Sequence, residues 1–316
     1  MIVTDQLSTT WSDPNPPTPT DPRVKTVLTI AGAILTLVVI ATLVIVVISK
    51  RDTIFSKSQD NEVALTAANI AGADAFTAPM ILGRSAVSET AAAAIQTATG
   101  QLPASPDRGV RLVSGSRPGL YGAPPDGNVC DPAALANYLA ARPATASAWA
   151  GALGTRSEQI PPYLNTLTPV VLTVDTWVTS NRNSNQQAVP YQAVLQAGTA
   201  VLVDQAGVPR VHCMSGNPLR PPANVNFEKL KVKGAAWPGY EPQYVVAVSY
   251  TDAPASFTDP VPTAPMTELR LVNLATGEEL VRPAGGTIVL PPGSPAVLFD
   301  SITMNAPPAG DGAPRR

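Results

Sequence analysis

The longest apolar stretch of the chain, TVLTIAGAILTLVVIATLVIVVIS at 26–49, runs for 24 residues without a charge. A helix rises about 1.5 Å per residue, so this length crosses a hydrocarbon layer of roughly 30 Å, and the pattern predicts a transmembrane helix. A cleavable signal peptide has a shorter apolar region and a small-residue exit, whereas this run leads directly into Lys50 and Arg51. Before it, residues 1–25 hold the Pro-rich polar segment WSDPNPPTPTDP and are expected to be a disordered arm. After it, 50–75 reads as a juxtamembrane stalk, polar at first and then Ala-rich.

Clear periodicity follows within 76–222, the segment expected to be an α+β domain. ETAAAAIQTATG at 89–100 has helix propensity but little apolar period, and reads as a linker or surface loop. Asp131-Pro132 places a capping acid before a proline whose missing N–H costs nothing at the first helical position. Leu135, Tyr138 and Leu139 then share one face. Pro143 ends that helix and starts a second, in which Trp149 and Leu153 share a face before Gly154 closes it.

From 168 the period shortens to two. TPVVLTVDTWVT (168–179) reads as one strand, SNRNSNQQ (180–187) as a polar loop, and TAVLVDQAGVPRVHC as a hairpin. Pro218, Pro221 and Pro222 end this unit. In 223–302, YVVAVSY (244–250), ELRLVNLATGEELVRP (268–283) and GTIVLPPGSPAVLF (286–299) read as strands of a smaller module, and 303–316 as a disordered tail. The expected fold class is α+β: an N-terminal transmembrane helix, a domain of short helices on an antiparallel sheet, and a small C-terminal β module.

Composition limits the function classes. The net charge of −2 offers no basic footprint for nucleic acid, and 34 prolines spread along the chain argue against long helical bundles. No G-x-S-x-G elbow, Walker A loop, strand-linked G-x-G-x-x-G or EF-hand loop occurs. His212 is the single histidine, and hence the only available base for a Ser/His/Asp arrangement. Strand alternation sets Arg210, His212 and Met214 on one face and Val211 with Cys213 on the other, which predicts a surface histidine and an inward cysteine. A zinc site would need Cys130, Cys213, His212 and a carboxylate to converge without any spacing signature, so no metal or cofactor is expected. Asp131, Asp175 and Asp204 read as an N-cap, a strand-edge acid and a turn entry. Asp175 and Asp204 are also the candidates for carboxylate-driven hydrolysis, which needs two acids across a cleft.

The chain has two cysteines, Cys130 and Cys213, which are either one disulfide or two buried thiols. A disulfide fits an oxidising compartment and thus a domain outside the cytoplasm. The basic residues flanking the apolar run, Arg23 and Lys25 before it and Lys50, Arg51 and Lys57 after it, mildly favour the reverse orientation.

Several blocks together carry a resemblance: PGLYG (118–122), Cys130-Asp131, AWAGALG (148–154), IPPYLNTLTPVVLTVDTWVT (160–179), QAVLQAGTAVLVDQAGVPRVHCMSGNPLRPP (192–222) and AWPGY (236–240). Over roughly 76–250 the chain resembles an uncharacterised domain of actinobacterial single-pass membrane proteins, in some relatives attached to a serine/threonine kinase domain. The resemblance includes both cysteines, which fits a bridge. Relatives often carry Arg where this chain has Trp177 and His212, and a second cysteine near Met214, which makes His212 a poor candidate for a shared catalytic role. The resemblance implies architecture and an envelope location, and no reaction.

The resulting expectation is a membrane-anchored, extracytoplasmic binding, scaffold or sensor component of the cell envelope, with no catalysis evident. Its partners would be the lipid bilayer through 26–49 and an envelope protein or cell-wall ligand. Recognition is expected on loops, namely Asn181, Arg182 and Asn183 in the polar segment and Asn217, Pro218 and Arg220 in GNPLRPP. The alternatives are an envelope hydrolase acting on glycan or peptide, and a regulatory domain facing the cytoplasm.

Overall fold

In the computed structural model the strands Thr168–Leu172, Ala200–Val203 and Pro209–His212 are buried at every position, so that both of their faces are covered. The structure describes residues 61–248 and 265–292, apart from 73, 84–85, 101–108 and 291. These residues belong to one compact unit, Lys57–Arg316. The arm 1–25, the apolar run 26–49 and the tail 303–316 lie outside the described residues.

Thirteen strands among the described residues form one mixed sheet. In chain order they are β1 (Glu62–Thr66), β2 (Arg111–Val113), β3 (Tyr121–Ala123), β4 (Thr168–Leu172), β5 (Thr176–Ser184), β6 (Gln187–Leu195) and β7 (Ala200–Val203). There follow β8 (Pro209–His212), β9 (Asn217–Arg220), β10 (Lys231–Lys233), β11 (Val246–Val248), β12 (Glu268–Asn273) and β13 (Glu279–Pro283). The helices are α1 (Glu89–Thr99), α2 (Pro132–Ala140), α3 (Pro143–Ala152) and α4 (Ile160–Asn165).

The expected α+β architecture is corrected on three points. Five strand pairs are parallel: β1 with β10 and β6, β11 with β2 and β5, and β12 with β3. The C-terminal strands do not form a module apart, because β10, β11 and β12 each pair with a strand from the earlier part of the chain. Part of the expected stalk is itself a strand, with Val63 of β1 fully buried. As for the expected transmembrane helix, no described helix is long and apolar enough to cross a membrane. A parallel neighbour cannot be reached by a tight hairpin and needs a crossover connection of about a dozen residues or more. Readings built from adjacent hairpins therefore miss these pairs.

Local chemistry shapes the elements that position the site. The Asp131 carboxylate accepts from Ala134 N at 2.9 Å and Pro132 opens α2, whose Leu135 and Leu139 are fully buried. Pro143 opens α3, Trp149 is buried there, and its indole donates to Gly216 O at 2.9 Å. Segment 89–100, expected to be a linker or loop, is a helix capped by Ser88, which accepts from Ala91 N at 3.1 Å. The expected hairpin forms from β7 and β8, with Leu202 opposite Val211. β12 and β13 form another, with Arg270 opposite Val281.

The strand expected over 168–179 is broken at Thr173–Asp175 into β4 and β5. The Thr173 hydroxyl donates to Gly119 O at 2.7 Å and to Leu120 O at 2.8 Å, and the Asp175 carboxylate accepts from Ala197 N at 2.8 Å. Side-chain bonds thus replace the ladder at this point.

The sheet coils so that one cluster collects Val170, Val201 and Leu271 together with Val178, Leu195 and Val246. The alternate residues pack outward in two further cores. Val171, Leu202 and Val211 lie under α2, α3 and α4, whereas Trp177, Val194 and Ala247 lie against Phe227 and Leu230. Most strands are consequently covered on both faces.

Candidate functional site

The two cysteines are joined. Cys130 and Cys213 form a disulfide with Cα atoms 5.9 Å apart, each about 1% exposed. The bridge ties the entry of α2 to the end of β8. Segment 76–82 lies across it: Met80 N donates to Cys213 O and Asp131 N to Met80 O, both at 3.0 Å.

His212 is not on the surface. It is 2% exposed, its Nδ1 lies 3.0 Å from Ser215 Oγ, and its Nε2 has no hydrogen-bond partner. Alternation separated it from Cys213 as expected, but the coiled sheet covers the second face as well. Burial pushes its pKa down to about 4 from 6.5, so the imidazole is neutral in the fold. The linkage therefore runs one way. The contribution is present above pH 6.5 and is lost as pH falls towards 4, because the unfolded chain takes up the proton first. Stability should fall by roughly 2 kcal/mol between pH 7 and 5 from this residue. Urea titrations at the two pH values check this, and His212→Asn, which preserves a partner for Ser215, should flatten the dependence.

Asp204 is likewise buried. Its Oδ1 accepts from Ala206 N and Val208 N, both at 2.9 Å, and its Oδ2 pairs with Arg210 Nε at 2.7 Å. The Tyr121 hydroxyl donates to Gly207 O in the same turn. Gly207 has φ +75°, and a Cβ there would stand 2.2 Å from Gly115 O, so the two backbones meet closely. This constellation holds the β7–β8 turn and presents no open face for a substrate.

The residues expected to form recognition loops are strand residues. The segment 180–187 is a hairpin whose turn, Asn185-Gln186, has φ of 51° and 63°. Asn181 is buried in β5 and donates to Pro218 O at 3.1 Å. Arg182 is half-buried with its guanidinium 5.9 Å from the Tyr191 ring centre, and Asn183 N donates to Asp74 O. Asn217, fully buried in β9, accepts from Phe76 N at 3.1 Å; Pro218 is buried, and Arg220 reaches Ala152 O at 3.4 Å.

Asp175 alone among the singled-out acids faces an open cleft. The cavity, of about 610 Å³, is lined by Ile95 and Thr99 of α1, by Trp237–Gly239 and by Tyr244. The break between β4 and β5 and Gln196–Gly198 also line it. Asp175 Oδ1 accepts from Ala197 N at 2.8 Å and Oδ2 from the Trp237 indole at 3.0 Å. Burial raises the Asp175 pKa, and those two hydrogen bonds oppose the rise. Tyr240 packs edge-on against Trp237 at 5.2 Å, and its hydroxyl is buried without a hydrogen-bond partner. Burial first, and the Asp175 charge second, raise the Tyr240 pKa.

Arg111 also lines the cleft; its Nη1 donates to Thr99 O at 3.0 Å, and the guanidinium stands 4.5 Å over the Tyr244 ring. Among the described lining residues Asp175 is the single carboxylate. No group of three or more His, Cys, Asp or Glu among the described residues is placed to hold a metal ion. Arg111, Gln196, Trp237 and Tyr244 were not singled out from the sequence. The one signal lay in AWPGY, where two aromatics stand close together in a chain that is only 5% aromatic.

A family model matches residues 111–285, more than half of the chain. The chain belongs to DUF6777, a domain of unknown function. The match contains Arg111, Asp175, Trp237 and Tyr244, whereas α1 precedes it. The DUF6777 segment also contains both bridged cysteines and, among the described strands, all except β1. No curated protein and no solved structure matches the chain.

Proposed function

We propose that this DUF6777 domain is a ligand-binding component of the cell envelope, held at the cell membrane on its extracytoplasmic side, with the Asp175 cleft as its binding site. Asp175 carries the reading. It is a half-buried carboxylate in an open, aromatic-walled cleft, aligned by the Ala197 amide and the Trp237 indole. Such partly desolvated charges are concentrated at functional sites, and the cavity falls within the size range of small-molecule pockets. The lining lacks the second carboxylate that paired-acid glycoside hydrolysis requires, which favours binding over that chemistry.

The disulfide supports the extracytoplasmic side, because glutathione and thioredoxin keep cytosolic thiols reduced. The charge-free run 26–49 supports membrane attachment, as does the resemblance to actinobacterial single-pass proteins, some of them bearing kinase domains. The domain's role is then to hold a ligand or a partner's terminus outside the cell.

Thermal denaturation of the full-length chain against a panel of amino acids, short peptides, saccharides and nucleotides tests the reading. At least one class should raise the midpoint, and Trp237→Ala should abolish that rise. A rise unaffected by Trp237→Ala, or none across the panel, would show that the cleft is not the site.

A further inference from the structure

The cleft contains two opposite charges that do not neutralise each other. Among the described residues the ion pairs are Arg210–Asp204, Lys233–Glu62 and Arg270–Glu279, and neither Arg111 nor Asp175 belongs to them. Their separation follows from the sheet. Val246 of β11 is registered with Arg111 of β2 on one side and with Thr176 of β5 on the other. Neighbouring strands lie about 4.7–4.9 Å apart, so the backbones of Arg111 and Thr176 are about 10 Å apart, with Asp175 next to the latter. Arg111 N donates to Val245 O, and Val246 N to Asp175 O. The two charged residues are therefore fixed at the same end of three parallel strands.

Each charge is held by one or two bonds that leave further capacity. A carboxylate offers about four lone-pair positions, of which Ala197 and Trp237 occupy two. A guanidinium has about five N–H donors, and Thr99 O takes one of them. The Trp237 indole N–H aligns the carboxylate of Asp175, and the Tyr244 ring lies under the guanidinium of Arg111. Ile95 and Val174 add apolar surface to the lining.

We infer that the cleft binds a zwitterionic short peptide, its free amino terminus at Asp175 and its free carboxylate at Arg111. This rests on the reading of the cleft as a binding site. An extended chain advances about 3.3–3.6 Å per residue, so about three residues match the roughly 10 Å between the two backbones. A neutral saccharide could stack on Trp237 but would use neither charge as a partner.

Calorimetric titration of the full-length chain with tri-alanine, N-acetyl-tri-alanine, tri-alanine amide and chitobiose tests the assignment. Tri-alanine should bind, and each single cap should weaken binding by at least about tenfold, the scale of one charge-assisted hydrogen bond. Asp175→Asn should bind the free and N-acetylated peptides alike while still preferring the free carboxylate. Arg111→Gln should show the converse, and Arg111→Lys, which keeps the charge, should retain the preference for carboxylate over amide. This crossed pattern cannot arise from a loss of folding. Equal binding of capped and free peptides, or no binding of tri-alanine, overturns the assignment. Binding of chitobiose alone, abolished by Trp237→Ala, would leave the cleft as the site and refute the zwitterion.

Discussion

Replacing Cys130 and Cys213 together by alanine should lower the thermal midpoint by roughly 10–15 °C. The bridge joins residues 83 apart in sequence, and in the chain-entropy account a loop of that size contributes about 4–5 kcal/mol. The native geometry adds to the effect. Both sulfurs are buried in the core beneath α2, α3 and α4, and segment 76–82 is bonded to the backbone of both cysteines or their neighbours. Without the bridge the helical layer is tied to the sheet by packing, by the Trp149–Gly216 and Arg220–Ala152 hydrogen bonds, and through segment 76–82. Scanning calorimetry of the double variant and of the parent chain checks the shift. A change of only a few degrees would mean that the bridge adds little to the packed layers. Alkylation of whole cells before lysis supplies the matching test of compartment: the native chain should show no reactive thiol until it is reduced.

Asp204→Ala should cost about 3–5 kcal/mol, the range for removing one partner of a buried ion pair. Both side chains of the pair are 2% exposed, and the carboxylate is also the acceptor for two turn amides. The variant would leave Ala206 N, Val208 N and Arg210 Nε without the acceptor they share. Replacing both members, as in Asp204→Leu with Arg210→Met, should cost less than Asp204→Ala alone, because no buried charge is stranded. Urea unfolding of the single and double variants measures the coupling. A double variant as unstable as the sum of two singles would show that the pair acts as independent contacts.

Both effects concern scaffolding, and both were partly readable from the chain. Two cysteines at the edges of patterned segments pointed to a bridge, and Asp204 at a turn entry was read as structural. The cleft was much less legible. Asp175 reads as a strand-edge acid because VVLTVDTWVT is rich in β-branched residues and holds no Gly or Pro, yet Thr173 and Asp175 find partners on Gly119, Leu120 and Ala197 that break the strand. Those partners lie far along the chain, so no local window contains them. Residues 180–187 looked like a loop because they are polar, but Asn181 is buried against Pro218 and the turn is confined to Asn185-Gln186. Segment 89–100 looked like a linker because alanine gives little amphipathic signal, yet it is the helix that walls the cleft.

The chain by itself determined what neighbouring residues decide among themselves. Asp131-Pro132 caps a helix, Pro143 opens the next, Gly154 turns out of it, and 200–212 and 268–283 fold as hairpins, because caps, turns and alternation act over a few residues. Tertiary structure decided which strands lie parallel, that the C-terminal strands enter the same sheet, and that His212 is buried. It also brought Arg111, Asp175 and Trp237 to one cleft. The physical reason is common to all four. A strand pattern shows that its two faces differ, but the coiling of the sheet determines what covers each face. Parallel neighbours, in turn, come from segments that local interactions never bring together.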